Sequence, residues 1–178
     1  MAELIYNQTQ IPKGKWRYGL RSSAKTGCGW IAVYNLLALF GEEPQPEALI
    51  SALERQLPLL HGTFGTLCLG PAMLLKKLGY AVYTASDASR YDDLAKQADG
   101  AILFYYWRRG LKLGAHFAAL RWDGERFVGY NTYSNSQGPD DLGGSLPDFL
   151  AKQGYFGSVL TVVKGINLLP GEGGTAKP

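Results

Sequence analysis

Hydrophobic and polar positions follow different patterns in the two halves of this chain. In the first eighty residues, apolar side chains recur at helical spacing. This pattern predicts helices over residues 28–40, 46–57 and 71–78, with Gly41 and Gly79 ending the first and the third. The first half is therefore predicted to be helical.

The second half has the shorter, β-branched and aromatic segments that are typical of strands. We predict strands at 80–84, 101–107, 115–122, 125–131 and 157–163, with helices at 88–97 and 145–153. Helices followed by strands indicate the α+β class, with an N-terminal helical half packed on a C-terminal antiparallel sheet. A length of 178 residues favours one domain, which we place at 1–168, followed by a flexible Gly/Pro-rich tail at 169–178.

One hairpin gives the sequence its first chemical hint. Residues 122–125, Trp-Asp-Gly-Glu, predict a two-residue turn that pairs the Trp with the Glu. The same register places His116 directly opposite Asn131, with Cβ atoms about 4.5–5.5 Å apart on one face. Taken alone, an ordinary sheet histidine is the competing interpretation of His116.

Cys28 lies between two glycines, immediately before an apolar helix. Thr26 is the predicted N-cap, which puts Cys28 in the first turn. Unpaired N–H groups and the helix dipole at that position favour the thiolate, the nucleophilic form. A buried structural cysteine is the alternative. Together, Cys28, His116 and Asn131 predict a nucleophilic site in which the His moves a proton and the Asn orients the imidazole.

Composition narrows the classes of protein that are possible. Two cysteines and two histidines are too few for a disulfide framework or a Cys/His zinc site, so we expect no cofactor and no metal. The other cysteine, Cys68, lies between leucines and is expected to be buried. His61 lies in a Gly-rich connection and is expected in a surface loop.

Charge and hydropathy bear on partners and location. Residues 4–41 carry five basic side chains and no acidic one, which offers a rival use in nucleic-acid binding. Because five charges spread over 38 residues are sparse, we expect no nucleic-acid partner. The N-terminus has no signal-peptide pattern, and the longest apolar segment has 11 residues. We therefore expect a cytoplasmic protein with no membrane contact.

Several short motifs resemble those of the papain-like cysteine peptidases. They are Gly27-Cys28-Gly29 at a helix start, HFAAL from His116, and Gly-Tyr-Asn ending at Asn131. The segment Tyr-Asn-Gln at 6–8, Trp16 and the Tyr-Gly pair at 18–19 resemble bacterial peptidases related to the leader-cleaving domains of bacteriocin exporters. The resemblance spans about residues 5–165.

The resemblance implies a papain-like fold and a role for each site residue. Cys28 is the implied nucleophile, His116 the base and Asn131 the orienting residue. Gln8 is the implied donor to the oxyanion, together with the Cys28 backbone N–H. The implied reaction is hydrolysis of a peptide or other amide through an acyl-thioester. A catalytically inactive binding module, and acyltransferase or transglutaminase-like use of the same residues, are the alternatives.

The sequence departs from the family pattern at two positions. Many relatives have the oxyanion glutamine six residues before the cysteine, where this chain has Ser22. Gln8 lies 20 residues before Cys28, and Asn7 and Gln10 are rivals for its role. Many relatives also carry a proline two residues after the cysteine, where this chain has Trp30. We predict a core position for Trp30.

Overall fold

The computed structural model describes residues 2–56 and 65–166. Six α-helices lie within those residues: α1 Ser23–Thr26, α2 Cys28–Leu39, α3 Pro46–Glu54, α4 Gly70–Lys77, α5 Tyr91–Lys96 and α6 Leu146–Gln153. The strands there are β1 Arg17–Tyr18, β2 Arg21–Ser22, β3 Tyr80–Ala85, β4 Gly100–Arg109, β5 Lys112–Trp122, β6 Phe127–Tyr130, β7 Asp140–Gly143 and β8 Tyr155–Ile166. Short 3-10 turns occur at Gln8–Gln10 and Ala88–Arg90.

Six strands form one antiparallel sheet in the order β3-β8-β4-β5-β6-β7, and β1 and β2 form a separate pair. Helices α1–α4 precede this sheet in the chain, so the predicted α+β class is confirmed. The last described strand, β8, inserts between β3 and β4. The predicted tail at 169–178 lies outside the described residues.

Helices cover both faces of the sheet. One face, which we call the α2 face, packs against α2, α3 and α4 through residues such as Phe104, Phe117 and Ala119. The α6 face packs against α5 and α6 through residues such as Tyr105 and Leu120. Side chains alternate between faces along a strand, so neighbouring residues of β5 belong to different cores.

Helix α2 is the most deeply buried helix of the α2 face. Nine of its residues are buried, including every residue from Gly29 to Leu37. Such all-round burial fits a helix that is apolar on every side. Its predicted start at residue 28 is confirmed, but the predicted N-cap Thr26 is wrong. Ser22 caps a separate short helix, α1, and Gly27 joins α1 to α2.

The predicted two-residue hairpin is also wrong. Trp122 pairs with Phe127, so a four-residue loop connects β5 and β6. The Asp123 carboxylate accepts hydrogen bonds from the Glu125 and Arg126 backbone N–H groups, at 3.0 and 2.9 Å. These side-chain contacts stabilise the wider loop.

The wider loop changes the position of the predicted histidine–asparagine pair. The last pair of the β5–β6 ladder is Ala119–Tyr130, and Asn131 follows the strand. His116 instead faces Tyr105 on β4. His116 and Asn131 are therefore not directly opposed residues of adjacent strands, and any contact between them depends on how the chain turns after β6.

Candidate active site

Cys28 is the first residue of α2 and is half-buried. The backbone N–H groups of Phe117, Gly29 and Cys28 itself all face its sulfur. Phe117 follows His116 on β5, so the thiol lies beside the main chain of the strand that carries the histidine. The flanking glycine Gly29 has no room for a side chain, because a Cβ there would lie 2.2 Å from Thr66 Oγ1.

Burial dominates the electrostatics of Cys28. It raises the pKa of the thiol, and the three N–H groups lower it by less. The sequence-based expectation of a thiolate is therefore wrong for the free protein. The helix start supplies the expected N–H groups, but burial outweighs them. The resting Cys28 is a neutral thiol.

His116 is also half-buried, and its Nε2 lies 2.5 Å from the backbone carbonyl oxygen of Asn131. A carbonyl only accepts hydrogen bonds, so this contact assigns the ring proton to Nε2 and leaves Nδ1 as a proton acceptor. Burial lowers the pKa of His116, and the contact with Asn131 opposes that shift. The resting imidazole is neutral at neutral pH.

Asn131 joins two parts of the site. Its backbone has a positive φ of 59°, a conformation that asparagine tolerates better than most residues. This turn directs its carbonyl to His116. Its side chain accepts a hydrogen bond from the Gln8 backbone N–H at 2.8 Å and donates to Gln8 Oε1 at 3.2 Å. Asn131 thus holds the histidine with its main chain and the glutamine with its side chain.

Gln8 extends this network toward α1. Its Nε2 donates to the Ala24 carbonyl oxygen at 3.3 Å, one helical turn before Cys28. The rival Asn7 is engaged elsewhere, since it donates to the Ser134 carbonyl at 2.7 Å. The other rival, Gln10, is exposed. Of the three candidates, Gln8 is the one in contact with both Asn131 and α1.

His116, Asn131 and Gln8 line a single cavity of about 270 Å³, together with Tyr105, Tyr133 and Gln153. Tyr105 belongs to the core of the α6 face, and its ring lies 6.1 Å from the His116 ring, centroid to centroid. Phe117, beside Cys28, belongs to the core of the α2 face. In the described part of the chain, no hydrogen bond joins the Cys28 thiol to the His116 ring. Three predicted site residues therefore share one cavity, and the fourth, Cys28, lies beside the backbone N–H of Phe117, the residue that follows His116 on β5.

Two residues near Cys28 were missed by the sequence analysis. Tyr18 is fully buried, and Thr66 packs against Gly29. Burial raises the pKa of Tyr18, the nearby Thr66 hydroxyl lowers it, and the charges of Glu54 and Cys28 raise it. The Tyr-Gly pair at 18–19 was noted only as a family motif. No local pattern in the sequence indicates that Tyr18 and Thr66 meet.

The other residues singled out in the sequence lie in the core, at its edge or at a helix end, apart from His61. Trp30 is fully buried and donates a hydrogen bond to the Ser23 hydroxyl at 3.0 Å, which confirms its predicted core role. Cys68, which was predicted to be buried, is a free thiol that is only half-buried, at the edge of the core of the α2 face. Ser22, which stands where many relatives have glutamine, accepts from the Ala24 N–H as the α1 cap. His61 lies outside the described residues.

Three features of the described residues bear on metals, membranes and nucleic acids. Within residues 2–56 and 65–166, no group of three or more His, Cys, Asp and Glu side chains is arranged to hold a metal. No helix described there is long and apolar enough to cross a membrane. The basic side chains of the first 41 residues are exposed, whereas Tyr18, which lies between Arg17 and Arg21 in the chain, is buried.

Comparison with known proteins supports the fold. No family model and no curated protein matches the chain. Among solved structures, it is similar to the peptidase domain of Streptococcus ComA, a bifunctional ABC transporter involved in a quorum-sensing pathway. The two are 15% identical with a TM-score of 0.53, and the match covers 79% of this chain and 93% of the other. The chain therefore shares the fold of that peptidase domain, as its resemblance to papain-like peptidases predicts.

Proposed function

We propose that this chain is a papain-like cysteine hydrolase that cleaves a peptide or other amide. Cys28 is the nucleophile, His116 the proton carrier, Asn131 the residue that orients His116, and Gln8 a donor to the oxyanion. The observation that carries this proposal is the contact between His116 Nε2 and the Asn131 carbonyl, since it leaves Nδ1 as the acceptor for the thiol proton.

The reaction starts from a neutral pair. Sulfur attacks the carbonyl carbon of the substrate while the thiol proton passes to His116 Nδ1. The two groups meet directly or through one water when substrate binds, because catalytic hydrogen bonds are often long in free enzymes. His116 then gives this proton to the leaving amine as the carbon–nitrogen bond breaks, which produces the acyl-thioester on Cys28.

The oxyanion receives two hydrogen bonds in this proposal. One comes from the Cys28 backbone N–H, which already faces the sulfur. The other comes from Gln8 Nε2, whose 3.3 Å contact with the Ala24 carbonyl is long and is exchanged for the oxyanion. Asn131 keeps the Gln8 side chain in place through Oε1 during this exchange. Water then attacks the thioester with His116 as base, and the acid product leaves.

A catalytically inactive binding module is the second candidate. The missing hydrogen bond between Cys28 and His116 in the described structure favours it, as does the engagement of Gln8 Nε2 by Ala24. In that case the 270 Å³ cavity at His116 binds a peptide without cleaving it. Acyl transfer to an amine differs from hydrolysis only in the second nucleophile.

A peptide library derived from a digested proteome separates these functions. Hydrolysis predicts new termini, detected by mass spectrometry, that disappear with Cys28→Ala and persist with Cys68→Ala. Added hydroxylamine would convert the acyl-thioester to hydroxamate products, and an added amine would reveal acyl transfer. Retention of peptides without any cleavage would instead support the binding module.

A further inference from the structure

The buried tyrosines of this chain differ in how their hydroxyls are bonded. Tyr91 is fully buried, and its hydroxyl lies 3.0 Å from the Ser158 hydroxyl. The Tyr34 hydroxyl donates to the Glu3 carbonyl at 3.1 Å, and the Tyr80 hydroxyl bonds the Glu42 carboxylate. Tyr18 is as buried as Tyr91, yet its hydroxyl has no partner among the described residues. Such a group costs folding free energy, so its presence calls for an explanation.

A second unpartnered hydroxyl accompanies it. Thr66 is nine-tenths buried, and its Oγ1 also lacks a hydrogen-bond partner in the described part of the chain. Two glycines make room for Thr66, because a Cβ on Gly29 would lie 2.2 Å from its Oγ1 and a Cβ on Gly70 would lie 2.8 Å from its Cγ2. Glycine is therefore required at both positions for Thr66 to pack against the first turn of α2.

Both side chains lie near the start of α2, where Cys28 stands. Thr66 contacts Gly29, the residue after Cys28, and Tyr18 belongs to the buried cluster against which Cys28 packs. The charged groups that act on the Tyr18 phenol are Glu54 from α3 and Cys28 itself. Glu54 accepts the Gly19 N–H at 2.7 Å. Burial, the first cause of the raised pKa of Tyr18, keeps its phenol protonated, so Tyr18 can act as a donor.

We propose that the Tyr18 and Thr66 hydroxyls form a relay that stabilises the Cys28 thiolate. When the thiol loses its proton to His116, Tyr18 donates a hydrogen bond to the sulfur and Thr66 donates to the Tyr18 oxygen. Around the neutral thiol, neither hydroxyl has a hydrogen-bond partner among the described residues, and in this proposal the charge that develops on sulfur pairs them. The proposal rests on the proposed function only in naming Cys28 as the nucleophile, since thiolate formation is measurable without substrate.

The test is the pH dependence of Cys28 alkylation by iodoacetamide, in a Cys68→Ala background. Tyr18→Phe removes only the hydroxyl and should raise the midpoint pH by about one to two units, the effect of a charge-assisted hydrogen bond. Thr66→Val should raise it by about half a unit, because it acts through a neutral hydrogen bond. Tyr91→Phe is the matched control and should leave the midpoint unchanged.

Thermal unfolding tests the premise that the Tyr18 hydroxyl is unpaired in the resting protein. Tyr18→Phe removes an unpaired buried group and should raise the melting temperature by about 2–4 °C, while Tyr91→Phe removes a paired one and should lower it. An unchanged alkylation midpoint in Tyr18→Phe overturns the relay. If Tyr18→Phe does not fold, Thr66→Val decides alone, and the absence of a shift overturns the relay.

The alkylation result stays separate from the proposed function. A chain that cleaves no peptide but shows the Tyr18→Phe shift has the relay and lacks the proposed hydrolase activity. A chain that cleaves peptides with an unchanged midpoint in both variants is a hydrolase whose thiolate is stabilised by the backbone N–H groups of Cys28, Gly29 and Phe117.

Discussion

The two faces of the sheet differ in how some of their buried polar groups are bonded. On the α6 face, polar groups are paired: Tyr91 meets Ser158, and the Asp92 carboxylate accepts the Leu146 N–H at 2.7 Å at the start of α6. On the α2 face, Cys28 begins a helix near Tyr18 and Thr66, whose hydroxyls have no hydrogen-bond partner among the described residues. The α6 side has one such hydroxyl in its cavity, that of Thr132. We propose that the two hydroxyls of the α2 face gain their partner when the Cys28 thiolate forms.

Strand β5 connects these two environments. The Phe117 side chain packs on the α2 face and its backbone N–H faces the Cys28 thiol, while His116 lines the cavity on the α6 side. Gln8 and Asn131 link the two, because Gln8 contacts Ala24 in α1 and Asn131 contacts His116. In the proposed function, these contacts hold Gln8 and His116 in position for the reaction of Cys28.

Removing the nucleophile should have the largest effect. Cys28→Ala should abolish peptide cleavage, a loss of about 10⁴-fold or more, because the acyl-thioester has no sulfur to form on. Cleavage products counted by mass spectrometry measure this. Cys68→Ala, a thiol packed on the same face, should keep full activity. Loss of cleavage in Cys68→Ala alone would assign the wrong cysteine.

Substitution of Gln8 should have the second-largest effect on peptide cleavage. Gln8→Ala removes one oxyanion donor and should lower kcat by roughly 10²–10³-fold. Alkylation of Cys28 should not change, because Gln8 does not contact the sulfur in this account. Gln10→Ala, in the same 3-10 turn but exposed, is the control and should be neutral. Equal losses in the two variants would point to a disturbed N-terminal segment instead.

Two substitutions of Asn131 distinguish the role of its main chain from the role of its side chain. Asn131→Gly keeps the positive φ and the carbonyl at His116, whereas Asn131→Ala strains that backbone by about 1–2 kcal/mol. Both lose the side-chain bonds to Gln8. Cleavage by the Gly variant should exceed that by the Ala variant about tenfold, and urea unfolding should rank their stabilities in the same order. Identical activities would mean that only the side chain matters.

The smallest effect concerns pH and stability. Burial lowers the pKa of His116 below its unfolded value of 6.5, so on acidification the unfolded chain takes up this proton first. The contribution of neutral His116 to the free energy of unfolding is therefore complete above pH 6.5. It is lost as the pH falls toward the pKa of His116 in the folded protein. Urea unfolding at pH 7.5 and 5.5 should show a smaller drop in stability for His116→Asn than for the natural chain. A larger drop in the variant would contradict a buried neutral imidazole.

The sequence predicted the parts of the fold that depend on local pattern. The apolar segment after Cys28 gave the start of α2, and Pro46 gave the start of α3. The four-residue helix α1 leaves too short a pattern to detect, and β7 was missed because Asp140–Gly143 has no hydrophobic alternation.

The site was predicted less completely, for physical reasons. The hairpin register failed because the Asp123 side chain competes with the backbone for hydrogen bonds in the loop. The Cys28 pKa depends on burial by residues distant in the chain, which no local motif encodes. The same holds for the meeting of Tyr18 and Thr66. The contact between His116 and Asn131 was expected through the side chain and occurs through the main chain.

The central claim is that Cys28 is the nucleophile and that His116 takes the proton of its thiol. The most direct measurement is intact-mass detection of an acyl group on Cys28 during a single turnover of the best-cleaved library peptide. The account predicts the adduct on Cys28 in the natural chain, and an acylation rate about 10²–10⁴-fold slower in His116→Ala. An adduct on Cys68, or an unchanged acylation rate in His116→Ala, would contradict it.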